Sequence, residues 1–143
     1  DARRYPLDCC FSMFKQLFAQ GQEFTYGLEE AGSYYTSYVQ LMNHWDKVLP
    51  EKILRVNNED VVEDLEGQVH RILNYLGLPF EEECITFYET DRSVRTASSE
   101  QVRRPVNKDG MGRWKPYAQY LKPLLNVLDE DLLKEEDVAY INN

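Results

Sequence analysis

The chain has 143 residues, an apolar fraction of 43% and a formal charge of −9, which suits one ordinary domain with its own core and leaves no room for a second. No stretch approaches the ~20 consecutive apolar residues of a membrane span, and an acidic balance argues against non-specific nucleic-acid binding, which needs a basic surface. The cysteines Cys9, Cys10 and Cys84 are odd in number and lack metal-ligand spacing, so reduced thiols in a cytoplasmic protein are expected, without a disulfide framework.

Asp1-Ala2-Arg3-Arg4 opens without Met or an apolar leader, and a chain that begins inside a larger protein is expected. Pro6 suits the first turn of a helix and Asp8 the positive end of its dipole. Leu7, Phe11, Phe14 and Phe18 follow at helical spacing, predicting a first helix from Pro6 to Gln20. Leu28, Ala31, Tyr35, Tyr38, Val39, Met42, Trp45 and Leu49 mark a long amphipathic helix that Pro50 cannot continue. Lys52 to Val56 reads as a short buried strand of the parallel type. Leu65, Val69, Ile72, Leu73 and Leu76 predict a third helix, capped by Asp64 and stopped by Gly77-Leu78-Pro79. A short helix is expected around Glu82 to Tyr88, then a polar, basic loop from Thr90 to Gly112, of a length that is usually functional. Arg113 to Val127 reads as the last clear helix, and the acidic stretch from Asp129 to Asp137 as a solvated helix or frayed end.

Charge is distributed unevenly. From Arg92 to Lys115 seven basic residues face two acidic ones, a local surplus of +5 in an acidic chain. A small anion is the natural partner of such a patch.

Two constellations could hold one. Arg4 precedes a helix and Ser12 lies about two turns inside it: a guanidinium fork, helix N-terminal N–H groups and a hydroxyl together suit a phosphate. The competing reading is a surface arginine paired with Asp8. The second constellation is the loop Arg95 to Trp114, where hydroxyls, basic groups and two glycines before a helix make an anion cradle; its competing reading is a solvated basic loop. His44, beside Trp45, and His70, beside the apolar stripe of the third helix, read as structural or surface residues, and no metal site follows from their spacing.

Arg4-Tyr5-Pro6-Leu7-Asp8 followed by Ser12 is similar to the sulfotransferase motif of arginine, any residue, proline, any residue, aspartate, with a serine eight positions after the arginine. In that family the arginine and serine bind the 3'-phosphate of the nucleotide. The passage Ile53 to Pro79, with Glu59-Asp60 after the strand and Leu76-Gly77-Leu78-Pro79 after the helix, also resembles the family. The loop, with Ser98, Gln101, Val102, Pro105, Val106 and Asn107, resembles most closely the bacterial sulfotransferases associated with tetratricopeptide repeats, and more distantly the tyrosylprotein sulfotransferases. The resemblance implies nucleotide contacts for Ser98 and Arg113, and aligns Lys108 with a phosphate-binding lysine. Where the family commonly has tyrosine-glutamate-aspartate this chain reads Asn58-Glu59-Asp60, so no adenine contact is carried to Asn58.

The implied fold is α/β, of the P-loop-kinase-like sulfotransferase type, with this chain as its helix-rich C-terminal part: 1–128 within the domain and 129–143 an acidic C-terminal tail. One or two strands are expected, completed in the isolated chain by a second copy through dimerisation or swapping. The implied reaction moves a sulfuryl group from 3'-phosphoadenosine 5'-phosphosulfate to a hydroxyl or amine acceptor, with no metal. Arg4, Ser12, Ser98, Lys108 and Arg113 would hold the 3'-phosphate side. In the family the loop around the 5'-phosphosulfate and the usual base lie upstream of the arginine motif, so no catalytic residue is assigned here and the chain alone is expected to be inactive. The alternative is a non-catalytic helical interaction module with a basic anion-binding loop. Kinase chemistry is disfavoured, because no glycine-lysine loop and no magnesium carboxylate pair occur.

Overall fold

A computed structural model describes residues 1–18, 20–90 and 100–142. The described residues are mostly helical around one small parallel sheet: β1 (Ala2–Arg3) pairs with β2 (Val56–Asn57), Ala2 opposite Val56 and Arg3 opposite Asn57. The expected strand thus begins later than Lys52, and its pairing is prolonged by Val56 N–H donating to Asp1 O at 2.9 Å. Beside it the Asp1 carboxylate gathers Arg3 at 2.9 Å and Arg55 at 3.1 Å and accepts from the Tyr38 hydroxyl, so the sheet edge is tied to the long helix.

The first helix, α1, spans Pro6–Lys15, with proline in its first turn and Gln16 already extended. It stops short of Gln20 for want of a partner. Leu7, Cys10 and Phe11 are buried, but Phe14 is 40% exposed and Leu17 81%, and a helix unsupported by packing does not propagate in water. A 3-10 turn at Glu23–Tyr26 leads into α2 (Leu28–Val48), the long helix the periodicity predicts. Gly32 lets α2 approach the C-terminal segment: a Cβ there would meet Val127 Cγ2 at 2.5 Å and Leu124 Cδ1 at 2.8 Å.

After β2 comes α3 (Asn58–Glu63), a turn and a half that the sequence reading missed, and then α4 (Leu65–Leu76). The signals at the ends of α4 hold as read: Asp64 accepts from Gly67 N–H at 3.0 Å, and Gly77 takes the left-handed conformation at φ 68°. The expected helix at Glu82 to Tyr88 is two 3-10 turns, Glu82–Cys84 and Phe87–Glu89. Within the long loop a third turn forms at Gln101–Arg103.

Arg113 to Val127 is not one helix. Residues Lys115–Tyr120 form a 3-10 stretch and Lys122–Leu125 a short α5, each opening with a proline in its first turn. Pro123 has no N–H to continue the preceding turns and disfavours helical geometry at the residue before it. The acidic stretch folds back as a 3-10 turn at Glu130–Leu132 and as α6 (Glu135–Asn142), whose Asp137 and Ile141 are buried. It is therefore not solvated along its whole length.

The core lies between α1, α2 and residues 114–128: Leu7 and Phe11 of α1, Ala31, Tyr35 and Val39 of α2, and Trp114, Leu121 and Leu124 form one buried cluster. Each fully buried side chain of this size contributes roughly 1.5–3 kcal/mol. No helix among the described residues is long and apolar enough to cross a membrane.

Candidate functional site

A cleft of about 670 Å³ opens between the outer face of α1 and the basic loop. Arg4, Ser12 and Lys15 line it from the α1 side, Asn58 and Val62 from α3, and Phe87 and residues between Glu100 and Arg113 from the rest. Three sequence-predicted residues, Arg4, Ser12 and Arg113, thus share one wall system although up to 109 positions separate them. Lys108 is exposed outside the cleft lining, its carbonyl accepting from Met111 N–H at 3.0 Å to close a turn. Ser98 lies outside the described residues.

The motif Arg4 to Asp8 is anchored residue by residue to distant parts of the chain. Arg4 O accepts from the Tyr35 hydroxyl at 2.6 Å, and the Arg4 guanidinium donates to Gly110 O. Gly110 keeps that approach open, since a Cβ there would stand 3.2 Å from Arg4 Nη2. Tyr5 N–H donates to Glu59 Oε1 at 2.9 Å. The Tyr5 hydroxyl donates to Asp137 Oδ2 at 2.7 Å and accepts from Lys134 N–H at 3.2 Å; burial, followed by the nearby Asp137 charge, pushes the Tyr5 phenol well above its usual range.

Asp8 sits in the middle, 5% exposed, with Arg4 Nη2 at 4.0 Å. The pairing that helical spacing allows is therefore present, and it coexists with the cleft. Desolvation holds the Asp8 carboxyl above the ordinary aspartate range, while backbone N–H groups of Gly112 and Arg113 and the Arg4 charge act in the other direction. Asp8 thereby links α1 to the end of the basic loop, where Gly112 has φ 68° and Arg113 Nε donates to Asp109 O. The loop is further shaped by Asn107 Oδ1, which accepts from Asp109 N–H at 3.0 Å, the side-chain mimic of a backbone turn.

An arginine offers five N–H donors. Gly110 O takes from one Arg4 nitrogen, and Arg4 Nε is buried without a protein partner. Such a group has the chemistry to hold an anion, but the negative neighbours set a condition: among the described residues the cleft wall carries Arg4, Lys15, Arg104 and Arg113 against Asp8, Glu100 and Asp109. The sequence reading placed Arg104 in the basic loop without singling it out and missed Lys15, though Lys15 stands three positions past Ser12 and so on the same face of α1.

Neither histidine lines the cleft. His44 stands edge-on to Trp45 at 5.4 Å, and His70 stacks on Phe80 at 4.3 Å with Glu66 at 4.0 Å. Among the described residues no group of histidine, cysteine or carboxylate side chains is arranged to hold a metal ion.

A profile of the Sulfotransferase family matches residues 1–82, a span that includes the Arg4–Asp8 motif, Ser12 and the segment from β2 to α4. A protein of Aquifex aeolicus (strain VF5), described as an uncharacterized protein, is 30% identical over 138 residues, covering 94% of this chain and 18% of that protein. The chain spans about a fifth of the length of this relative.

Proposed function

Since the chain belongs to the sulfotransferase family, we propose that its cleft binds the 3'-phosphate side of 3'-phosphoadenosine 5'-phosphosulfate, the donor in transfer of a sulfuryl group to a hydroxyl or amine. The observation that carries this reading is the convergence of Arg4, Ser12 and Arg113 on one cleft. Arg4 supplies a charge-assisted fork, Ser12 a hydroxyl donor and Arg113 a second cation from the basic loop. Ser98 and Lys108 are kept as further contacts on the strength of the family resemblance alone. Donor positioning of this kind lowers the barrier by orientation and electrostatics.

The 143 residues contain no glycine-lysine loop suited to the 5'-phosphosulfate. The reaction itself is therefore not assigned to them, and the purified 143-residue chain is expected to bind the nucleotide without transferring sulfate.

Calorimetric titration tests the reading. 3'-Phosphoadenosine 5'-phosphate is expected to bind at least about 10-fold tighter than adenosine 5'-phosphate, the order of one charge-assisted hydrogen bond, and Arg4→Ala to remove that preference. Equal affinity for the two nucleotides defeats the reading and leaves an interaction loop for an acidic partner as the better account.

A further inference from the structure

The cleft holds a cation that the reading above does not use. Lys15 is the last residue of α1, and with Asp8 and Ser12 it forms one stripe along the cleft face of that helix. Helical side chains lean toward the N-terminus, and Lys15 Nζ accordingly lies over the ring of Phe11, 5.2 Å from its centroid. The ammonium is thereby carried back about one turn along α1, to the level of Ser12. Phe11 is a fixed platform for it, being 5% exposed and packed on Tyr117 with ring centroids 5.0 Å apart.

A ring face attracts a cation without cancelling its charge. Two of the three arginines on the wall are more committed: Arg4 is engaged by Gly110 O and Asp8, and Arg113 by Asp109 O. Lys15 forms no ion pair with a carboxylate among the described residues. Charge balance points the same way. Among the described residues four cations and three carboxylates line the cleft, so neutralising Lys15 removes their positive surplus, and the more highly charged of two anionic ligands loses the more by it.

We propose that Lys15 is a specificity-determining residue of this cleft, its ammonium pairing with the 3'-phosphate beside Ser12; the inference rests on the nucleotide reading above. The competing role for a lysine in the last turn of a helix is to offset the negative end of the dipole, which affects stability alone.

The experiment titrates the wild-type protein, Lys15→Gln and Lys15→Arg with 3'-phosphoadenosine 5'-phosphate and adenosine 5'-phosphate, with Tm recorded for each. Lys15→Gln is expected to bind the bisphosphate about 10-fold more weakly while holding the monophosphate within about twofold, and Lys15→Arg to recover most of the loss. A bisphosphate affinity in Lys15→Gln within about twofold of wild type, or an equal loss for both nucleotides, overturns the inference. The two readings fail separately: a wild type that prefers the bisphosphate beside an unaffected Lys15→Gln removes only the role of Lys15, whereas a wild type without the preference removes the nucleotide reading and the lysine's role together.

Discussion

The two halves of this molecule are held together in different ways. Around α1, α2 and residues 114–128, side chains such as Leu7, Leu121, Leu124 and Trp114 are at most 1% exposed. In α3 and α4 no residue is fully buried, and Leu76 at the end of the apolar stripe is 58% exposed. Most of the cleft-lining residues belong to the first half or to the loop pinned onto it by Arg4 and Asp8. Rigid positioning of an anion site calls for that arrangement, because a contact can be no more exact than the packing beneath it.

Paired truncations put the contrast at greatest risk. Trp114→Ala removes a side chain 1% exposed and is expected to cost ~3–5 kcal/mol, whereas Leu73→Ala in the half-exposed stripe of α4 should cost less than about 1 kcal/mol. Chemical denaturation of both variants measures the difference, and equal costs would mean that α4 is as well packed in solution as the core. Next in size is Gly32→Ala. Its methyl would press on Val127 and Leu124, and such overpacking is expected to cost about 1–3 kcal/mol in the same assay.

The smallest expected effect concerns Asp8, where the anchoring of the loop is set against burial of a charge. Its carboxyl is raised above the ordinary value of 3.8, chiefly by desolvation, so the folded state takes up a proton there more readily than the unfolded chain. That contribution favours folding at pH below 3.8 and is lost as pH rises through the raised value. Asp8→Asn cannot lose it. Tm followed from pH 4 to pH 7 should therefore show the wild type falling behind Asp8→Asn by a few degrees as pH rises; a wild type that gains on the variant over that range contradicts the assignment.

What the sequence disclosed follows from the range of each signal. Asp64 and Gly77 act within one turn of where they stand, and both ends of α4 were legible. The register of α2 was legible too, because 21 residues average out local exceptions. The early stop of α1 was not, since nothing in Gln16 to Gln20 breaks a helix and the missing element is a neighbour for Phe14 and Leu17. Pro123 was in plain view, yet the apolar spacing from Trp114 to Leu125 concealed its effect. At the site, the family motif marked Arg4 and Ser12 as candidates, but that Arg4 meets Gly110 spans 106 positions, beyond any periodicity. Acidic composition likewise hid the burial of Asp137, whose carboxylate accepts from the Tyr5 hydroxyl.

That last contact bears on how the protein is made. Tyr5 and Asp137 are 132 residues apart, and a ribosome adds roughly 5–20 residues per second from the N-terminus. For several seconds the Arg4 motif exists on the ribosome with one of its braces still unsynthesised, its Tyr5 hydroxyl without the Asp137 carboxylate. The motif acquires that brace only when Asp137 has left the exit tunnel, so a chain cut short before Asp137 would carry the signature residues with part of their support missing.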